Sequence, residues 1–258
     1  MNTPKIFVSI ILILVIVTGI YMMYQPTPKT SNTFIVGTAA GYAPFVSINE
    51  QGEYEGFDID VANALAKQMN KTLIIKDLGS MTSLFVALEQ GKIDAIIWGL
   101  SIIPERLQKV AMIRYQGEKT TTYPLLFWNA IPEGINSITD MTGMRVCVEP
   151  TSSQESALNA YPFITKIPIE HVDDALLSIQ YGKADAALVE PAIAKKFMNK
   201  YPEIKKIDMQ LPEKDQVLGI GIAVKKNNVS LQEKIELGID ALTGDGTLAL
   251  LEKKWDIA

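Results

Sequence analysis

One short pattern occurs twice in this chain and constrains its fold more than any other feature. Residues 87–95 read Ala-Leu-Glu-Gln-Gly-Lys-Ile-Asp-Ala, and residues 178–186 read Ser-Ile-Gln-Tyr-Gly-Lys-Ala-Asp-Ala. In each copy we expect a helix to end at the glycine and an apolar strand to begin near the aspartate. The repeat therefore predicts two lobes of like topology, each presenting a strand end at a shared cleft.

The segments on either side of both copies alternate between strand and helix patterns. The strand patterns cover residues 33–38, 73–75, 94–98, 123–128, 144–148, 185–189 and 218–224. The helix patterns cover residues 57–69, 81–90, 173–181, 191–199, 230–242 and 246–255, with a short helix opened by Pro104. Such alternation is typical of an α/β fold whose sheets are mostly parallel and flanked by helices.

The chain is expected to pass between the lobes twice, near residues 117–123 and 215–219. The first lobe then comprises residues 33–120 and 217–258, and the second lobe comprises residues 121–216. A hinge motion at the two passages would close the lobes on a ligand.

The N-terminal region, residues 1–32, predicts an apolar helix followed by a tether. Residues 6–24 are apolar except for two hydroxyl residues and a glycine, which is about the length that crosses a bilayer. The segment is either a signal peptide or a membrane anchor, and its length favours an uncleaved anchor. No cysteine follows it, so a lipoprotein anchor is excluded. Either alternative places the remainder outside the cytoplasm.

Composition excludes several classes of protein. The 258 residues are 48% hydrophobic and carry a net charge of −5 without a basic run, so we expect no nucleic-acid binding. Cys147 is the only cysteine and His171 the only histidine. These counts exclude an intrachain disulfide and a zinc-type ligand set, and we expect no metal or cofactor. We interpret Cys147 as a core residue and His171 as a surface residue.

Polar or aromatic residues follow four of the predicted strands. They lie at residues 39–42, 98–101 and 149–153 and at Glu190, and open α/β sheets bind ligands beyond such strand ends. Arg106, just after the second of these ends, can bind a carboxylate through two parallel hydrogen bonds. Glu190 can accept hydrogen bonds from an ammonium group. One charge of each sign on opposite lobes predicts a zwitterionic ligand.

Two acidic residues occupy the start of the helix pattern at residues 57–69. Asp58 and Asp60 suit the positive end of a helix dipole there, and we favour that interpretation. A catalytic carboxylate pair is the alternative.

Three motifs give the chain a specific resemblance. Residues 56–69, residues 91–106 and residues 246–255 match hallmarks of the family 3 extracellular solute-binding proteins, the amino-acid receptors of ABC importers. The resemblance extends over residues 33–256. Within the family, residues 189–191, 211–213 and 217–221 are most similar to the chlamydial arginine-binding type. The resemblance implies the two-lobed fold of type II periplasmic binding proteins.

The resemblance also implies which residues bind the ligand backbone. Arg106 matches the arginine that binds the α-carboxylate, with Ser101 and Ser153 as hydroxyl donors. Gly99 matches a backbone contact. Glu190 stands where an aspartate usually binds the α-amino group.

Around the ligand side chain the resemblance is less regular. Tyr42 matches a stacking aromatic residue, and Met81 falls at another wall position. Trp98 replaces a small residue, while Ala39 replaces an aspartate that is frequent in receptors for basic amino acids. Glu149 is unusual, and if it faces the far end of the ligand it would favour arginine or lysine. Residues 112–115 also depart from the family pattern, without a physical explanation from sequence.

We therefore expect a monomeric, non-catalytic receptor outside the cytoplasm that delivers an amino acid to an ABC permease in the inner membrane. Its N-terminal helix either tethers it to that membrane or is removed as a signal peptide. The first alternative is an enzyme of the same fold, similar to cyclohexadienyl dehydratase, with Glu149 or Glu190 as its acid or base. A sensor module is the second and weaker alternative.

Overall fold

The computed structural model describes residues 32–257, which form twelve strands and eight α-helices. The strands are β1 (Thr33–Thr38), β2 (Ser47–Ile48), β3 (Tyr54–Glu55), β4 (Thr72–Asp77), β5 (Ala95–Ile96), β6 (Val110–Gln116), β7 (Thr122–Phe127), β8 (Arg145–Val148), β9 (Thr165–Pro168), β10 (Ala186–Leu188), β11 (Lys205–Gln210) and β12 (Ile220–Lys225). The helices are α1 (Phe57–Gln68), α2 (Met81–Glu89), α3 (Pro104–Lys109), α4 (Ser153–Leu158), α5 (Asp173–Gln180), α6 (Pro191–Lys200), α7 (Val229–Gly244) and α8 (Thr247–Lys254).

The strands form two five-stranded sheets and one small hairpin. The first sheet has the order β4-β1-β5-β12-β6, and the second has the corresponding order β9-β8-β10-β7-β11. In each sheet four strands run the same way, and one strand, β12 or β7, runs against them. The two sheets thus share one topology, which is the structural counterpart of the repeated sequence pattern.

The reversed strand in each sheet is the one that arrives from the other sheet. β7 directly follows the passage at residues 117–121, and β12 directly follows the passage at residues 211–219. The passages pair with each other: Thr120 N–H donates to Val217 O at 2.9 Å, and Val217 N–H donates to Thr120 O at 3.1 Å. Two adjacent extended segments therefore connect the sheets.

The aspartate of each repeat fixes the strand that follows it. Asp94 accepts a hydrogen bond from Ile35 N–H at 2.8 Å and donates its own N–H to Ile35 O at 2.8 Å. Asp185 does the same with Arg145, at 2.7 and 2.8 Å. Each repeat thus binds its strand to the neighbouring β1 or β8 through both the side chain and the backbone.

Within the two five-stranded sheets three strands escaped prediction, and all three lie at sheet edges. β6, β9 and β11 each have only one neighbouring strand. β9 and β11 are largely exposed, with one lysine in β9 and two in β11. Charged side chains protect sheet edges from pairing with other chains, but they also remove the apolar pattern that marks a strand.

The predicted membrane segment cannot be compared with this structure. The apolar run at residues 6–24 lies outside the described residues, as does nearly all of the tether. Within residues 32–257, none of the helices has the length and apolar character needed to cross a bilayer.

Candidate functional site

The nine predicted binding residues come from both sheets, and all are buried except Glu149, which is partly buried. Those on the first-sheet side are Tyr42, Met81, Trp98, Gly99, Ser101 and Arg106. Those on the second-sheet side are Glu149, Ser153 and Glu190. Direct contacts join Met81, Ser101, Arg106, Ser153 and Glu190, and the Tyr42 ring contacts Trp98.

Arg106 is a buried cation without an anionic partner. It lies in the first turn of α3, which Pro104 begins, and only 5% of its surface is exposed. Its Nη1 donates to Ser101 O at 2.8 Å, and its Nη2 donates to Thr151 O and to Met81 Sδ, both at 3.0 Å. None of the ion pairs within residues 32–257 includes it. A buried charge is costly unless it is paired, so this position suits a bound anion.

Glu190 is a buried anion that forms no ion pair with a cation within residues 32–257. It precedes Pro191, which begins α6, and its exposed fraction is 7%. Its Oε1 accepts hydrogen bonds from Ser101 Oγ at 2.6 Å and from Ser153 Oγ at 3.5 Å. Burial raises the pKa of its carboxyl, and the hydroxyl of Ser101 opposes that rise. None of the ion pairs in the described part of the chain contains Glu190.

A chain of hydroxyl groups continues from Glu190 into the second sheet. Ser153 begins α4, and its Oγ accepts a hydrogen bond from the Tyr123 hydroxyl at 2.6 Å. Tyr123 is fully buried in β7. Sequence reasoning placed Tyr123 in a strand but assigned it no role in the site. Its position at the start of that strand, next to the passage between sheets, was the available signal.

The aromatic wall consists of Tyr42 and Trp98. Their ring centroids lie 5.1 Å apart with the planes tilted by 48°. The buried indole N–H of Trp98 has no hydrogen-bond partner within residues 32–257, and neither does the buried Oε1 of Glu149. Burial raises the pKa of Glu149 to about 8, while Arg106 acts to lower it. The site therefore holds one free donor and one free carboxyl oxygen besides its two charged residues.

Glycine is the only residue type that fits position 99. Its φ of 52° lies in the left-handed region, and an added Cβ would lie 2.7 Å from Tyr42 Cε1 and 3.1 Å from the Phe45 ring. Any side chain there would displace the aromatic wall. The predicted backbone role of Gly99 is therefore sterically possible only for glycine.

Asp58 and Asp60 both lie in the first turn of α1, as predicted, but Asp58 also has a role that the dipole interpretation did not include. Its carboxylate is buried beneath the Gly99 turn, with 1% of the residue exposed, and accepts hydrogen bonds from Gly99 N–H and, at 2.6 Å, from the Tyr115 hydroxyl. Burial raises its pKa to about 7, although both hydrogen bonds act to lower it. Asp60 instead accepts from Trp255 Nε1 and Lys254 Nζ, both at 2.7 Å. The two carboxylates therefore have separate partners.

Two further residues with chemically reactive side chains are Cys147 and His171. Cys147 is fully buried in β8, where burial raises its thiol pKa to about 12, and His171 is exposed. Within the described residues, no group of three or more His, Cys, Asp or Glu side chains could hold a metal ion.

Two cavities adjoin the charged residues. A groove of about 830 Å³ is lined by Arg106 together with residues of α2, α3 and α4. A cavity of about 250 Å³ is lined by Glu190 and by Gly117 and Gly219 at the two passages. The aromatic residues Tyr42 and Trp98 line neither of them. The side chains of the site itself pack against one another.

Comparison with known proteins agrees with the fold and the motifs. The model of the bacterial extracellular solute-binding proteins, family 3, matches residues 34–257. The probable ABC transporter arginine-binding protein ArtJ of Chlamydia trachomatis is 34% identical over 89% of this chain and 88% of that protein.

Solved structures of similar shape are also binding proteins. A Salmonella typhimurium periplasmic binding protein of high arginine specificity has a TM-score of 0.77 and 26% identity, covering 86% of this chain and 98% of its own. An ancestral amino-acid-binding protein, described as a precursor of cyclohexadienyl dehydratase, has a TM-score of 0.76 and 26% identity, covering 87% and 95%. These neighbours confirm the predicted periplasmic-binding-protein fold. The chain belongs to the bacterial extracellular solute-binding proteins of family 3.

Proposed function

We propose that this protein is the amino-acid receptor of an ABC importer. Arg106 binds the α-carboxylate of the ligand, with Ser101 and Ser153 as further donors, and Glu190 binds the α-amino group. The observation that carries this proposal is the pair of buried, unpaired charges of opposite sign on the two sheets. A free amino acid supplies the missing partner of each charge.

The ligand side chain is proposed to be cationic, with arginine as the first candidate. Tyr42 and Trp98 offer aromatic faces on which a guanidinium can stack, and Met81 adds an apolar wall. The free carboxyl oxygen of Glu149 can accept hydrogen bonds from the guanidinium. Arginine is also the ligand for which the C. trachomatis and S. typhimurium relatives are named.

Closure of two lobes is proposed to complete the site. The lobes are residues 33–120 with 217–258, and residues 121–216. Ser101 and Glu190 meet across them at 2.6 Å, and Arg106 reaches Thr151 O at 3.0 Å. Rotation at the paired passages would separate these contacts and open the site.

We propose that the protein does not catalyse a reaction. The family consists of extracellular solute-binding proteins, which places the chain outside the cytoplasm. We also propose that the protein is monomeric and that residues 6–24 tether it to the inner membrane. It delivers its ligand to a permease in that membrane. The dehydratase-like alternative has one observation in its favour, the free Glu149 carboxyl whose raised pKa suits a proton donor.

A thermal-shift screen tests the proposed function. The purified chain is heated with each of the twenty standard amino acids and with prephenate. A tight ligand raises the melting temperature by mass action, and we expect L-arginine to give the largest rise. No rise with any amino acid would contradict the receptor proposal, and turnover of prephenate would support the enzyme.

A further inference from the structure

We propose that Asp58 is a positioning residue for ligand binding, holding the turn that carries Trp98, Gly99 and Ser101. This inference rests on the proposed function, because it concerns the same site. Asp58 belongs to α1 and is not one of the residues proposed to bind the ligand. It acts through the backbone of Gly99.

The Gly99 N–H needs a partner that the sheet does not supply. β5 ends at Ile96, so Gly99 lies beyond the last paired residue of the strand, and it is buried. A buried backbone N–H without a hydrogen bond is strongly disfavoured. The carboxylate of Asp58 supplies that bond. The left-handed conformation of Gly99 is therefore fixed by Asp58 on one side and by the Tyr42 and Phe45 rings on the other.

The same carboxylate connects the turn to the first passage between the sheets. Its Oδ1 accepts from the Tyr115 hydroxyl at 2.6 Å, and Tyr115 stacks on Phe57 with centroids 5.8 Å apart. Tyr115 lies near the end of β6, two residues before Gly117, where the passage begins. Tyr115 is part of the segment 112–115 that departs from the family pattern. The hydrogen bond from its hydroxyl to Asp58 gives a physical role to this one of the unusual residues.

The carboxylate of Asp58 accepts one hydrogen bond on each oxygen, from Gly99 N–H and from the Tyr115 hydroxyl. Asparagine can accept from Gly99 N–H through Oδ1 and donate from Nδ2 to the Tyr115 hydroxyl, which is also an acceptor, so alanine is the substitution that removes both bonds. The buried carboxylate also makes no ion pair within residues 32–257, so its contribution comes from these two hydrogen bonds. Burial alone disfavours an acidic residue at position 58. The need to position the turn explains why one is there.

The test compares Asp58→Ala with Asp60→Ala, which changes the other acid of the same helix turn. Two quantities are measured in each variant: amide hydrogen exchange at Gly99 without ligand, and the Kd for L-arginine by isothermal titration. For Asp58→Ala we expect Gly99 exchange and the Kd each to rise by at least about tenfold. For Asp60→Ala, which loses the bonds to Trp255 and Lys254, we expect a lower melting temperature but neither of these changes.

Tyr115→Phe keeps the test decisive if Asp58→Ala does not fold. It leaves the bond to Gly99 intact and removes one of the two donors, so a smaller rise in both quantities is expected. Unchanged Gly99 exchange in Asp58→Ala, or in Tyr115→Phe if that is the variant that folds, would overturn the proposal. So would a Kd that changes no more than in Asp60→Ala. If the wild-type chain binds no amino acid, the proposed function fails, and exchange at Gly99 alone then decides whether Asp58 holds the turn.

Discussion

The segments that lead into β5 and β10 have the same structure. Each strand follows a helix that ends at a left-handed glycine, Gly91 with φ 69° or Gly182 with φ 67°. In each, an aspartate binds both backbone groups of the neighbouring strand. The two segments differ at the equivalent position just beyond each strand, which is Gly99 after β5 and Glu190 after β10.

This difference shows how one framework can present opposite chemistry. The β5 end offers backbone donors and leads to the cation Arg106, whereas the β10 end offers a carboxylate. The shared aspartates determine where the two ends lie, and the residues after the strands determine what they bind. The following predictions test that separation, beginning with the largest expected effect.

Removing the cation should weaken binding most. Arg106→Ala should cost about 3 kcal/mol in the binding free energy of L-arginine, as expected when one member of a buried charge pair is truncated. Isothermal titration measures the change. Lys109→Ala in the same helix is the control, because Lys109 is exposed and forms an ion pair with Glu105. Equal affinity of the two variants would remove Arg106 from the site.

Removing the anion should give the next largest effect. Glu190→Gln keeps the size of the side chain and an acceptor for Ser101 but removes the charge that faces the ligand ammonium. We expect a loss of about 2 kcal/mol in the binding free energy of L-arginine, since hydrogen bonds to charged groups have that magnitude. If calorimetry shows no loss, the β10 end does not bind the amino group.

Substitution of Glu149 should change the affinities for ligands with different side chains by different amounts. Glu149→Gln should weaken L-arginine by about 1.5 kcal/mol and L-glutamine by less, because only arginine carries a cation. Equal losses for both ligands would exclude the basic-ligand proposal.

The same residue predicts a pH dependence. The pKa of Glu149 is about 8 without ligand, and a bound cation stabilises the ionised carboxylate and so lowers that pKa. Affinity for L-arginine should therefore fall as pH drops below 8, by up to about tenfold per unit, until the pKa of the complex is reached. The part of this slope due to Glu149 is absent in Glu149→Gln. Identical slopes in the two proteins would contradict the assignment.

The repeated aspartates should affect stability rather than binding. Asp94→Ala should lower the free energy of unfolding by about 1 kcal/mol, the usual contribution of one hydrogen bond, with little change in Kd. Asp185→Ala should do the same, although Asp185 also binds the partly exposed guanidinium of Arg145 at 2.6 Å. Denaturant unfolding with parallel titrations measures both. A large loss of affinity in either variant would show that framework and site are not separable.

Much of this site could be predicted because strand ends are readable from sequence. Glu190 follows an apolar strand almost directly, Arg106 follows another after a short turn, and their charges indicate the ligand class. The direction of Asp58 was missed although a signal was present. It lies three residues before Val61 and seven before Leu65, on the apolar stripe of α1, and all three are buried. Helical spacing thus indicated an inward carboxylate, but the preference for acids in a first turn was given more weight.

Other contacts depend on distant parts of the chain and leave no local pattern. Tyr115 meets Asp58 across 57 residues, and Tyr123 meets Ser153 across 30 residues. Each tyrosine lies in a strand where its ring alone explains its burial. Only the folded arrangement of the sheets shows which hydroxyl group each one meets.

The central claim is that the two strand ends bind the two charges of one amino acid. Its most direct test is isothermal titration of the wild type and Arg106→Ala with L-arginine and with agmatine, which lacks the carboxylate. We predict that the wild type binds agmatine at least about 100-fold more weakly than L-arginine, and that Arg106→Ala weakens L-arginine but not agmatine. Equal affinity of the wild type for both compounds, or an equal loss for both in Arg106→Ala, would contradict the account.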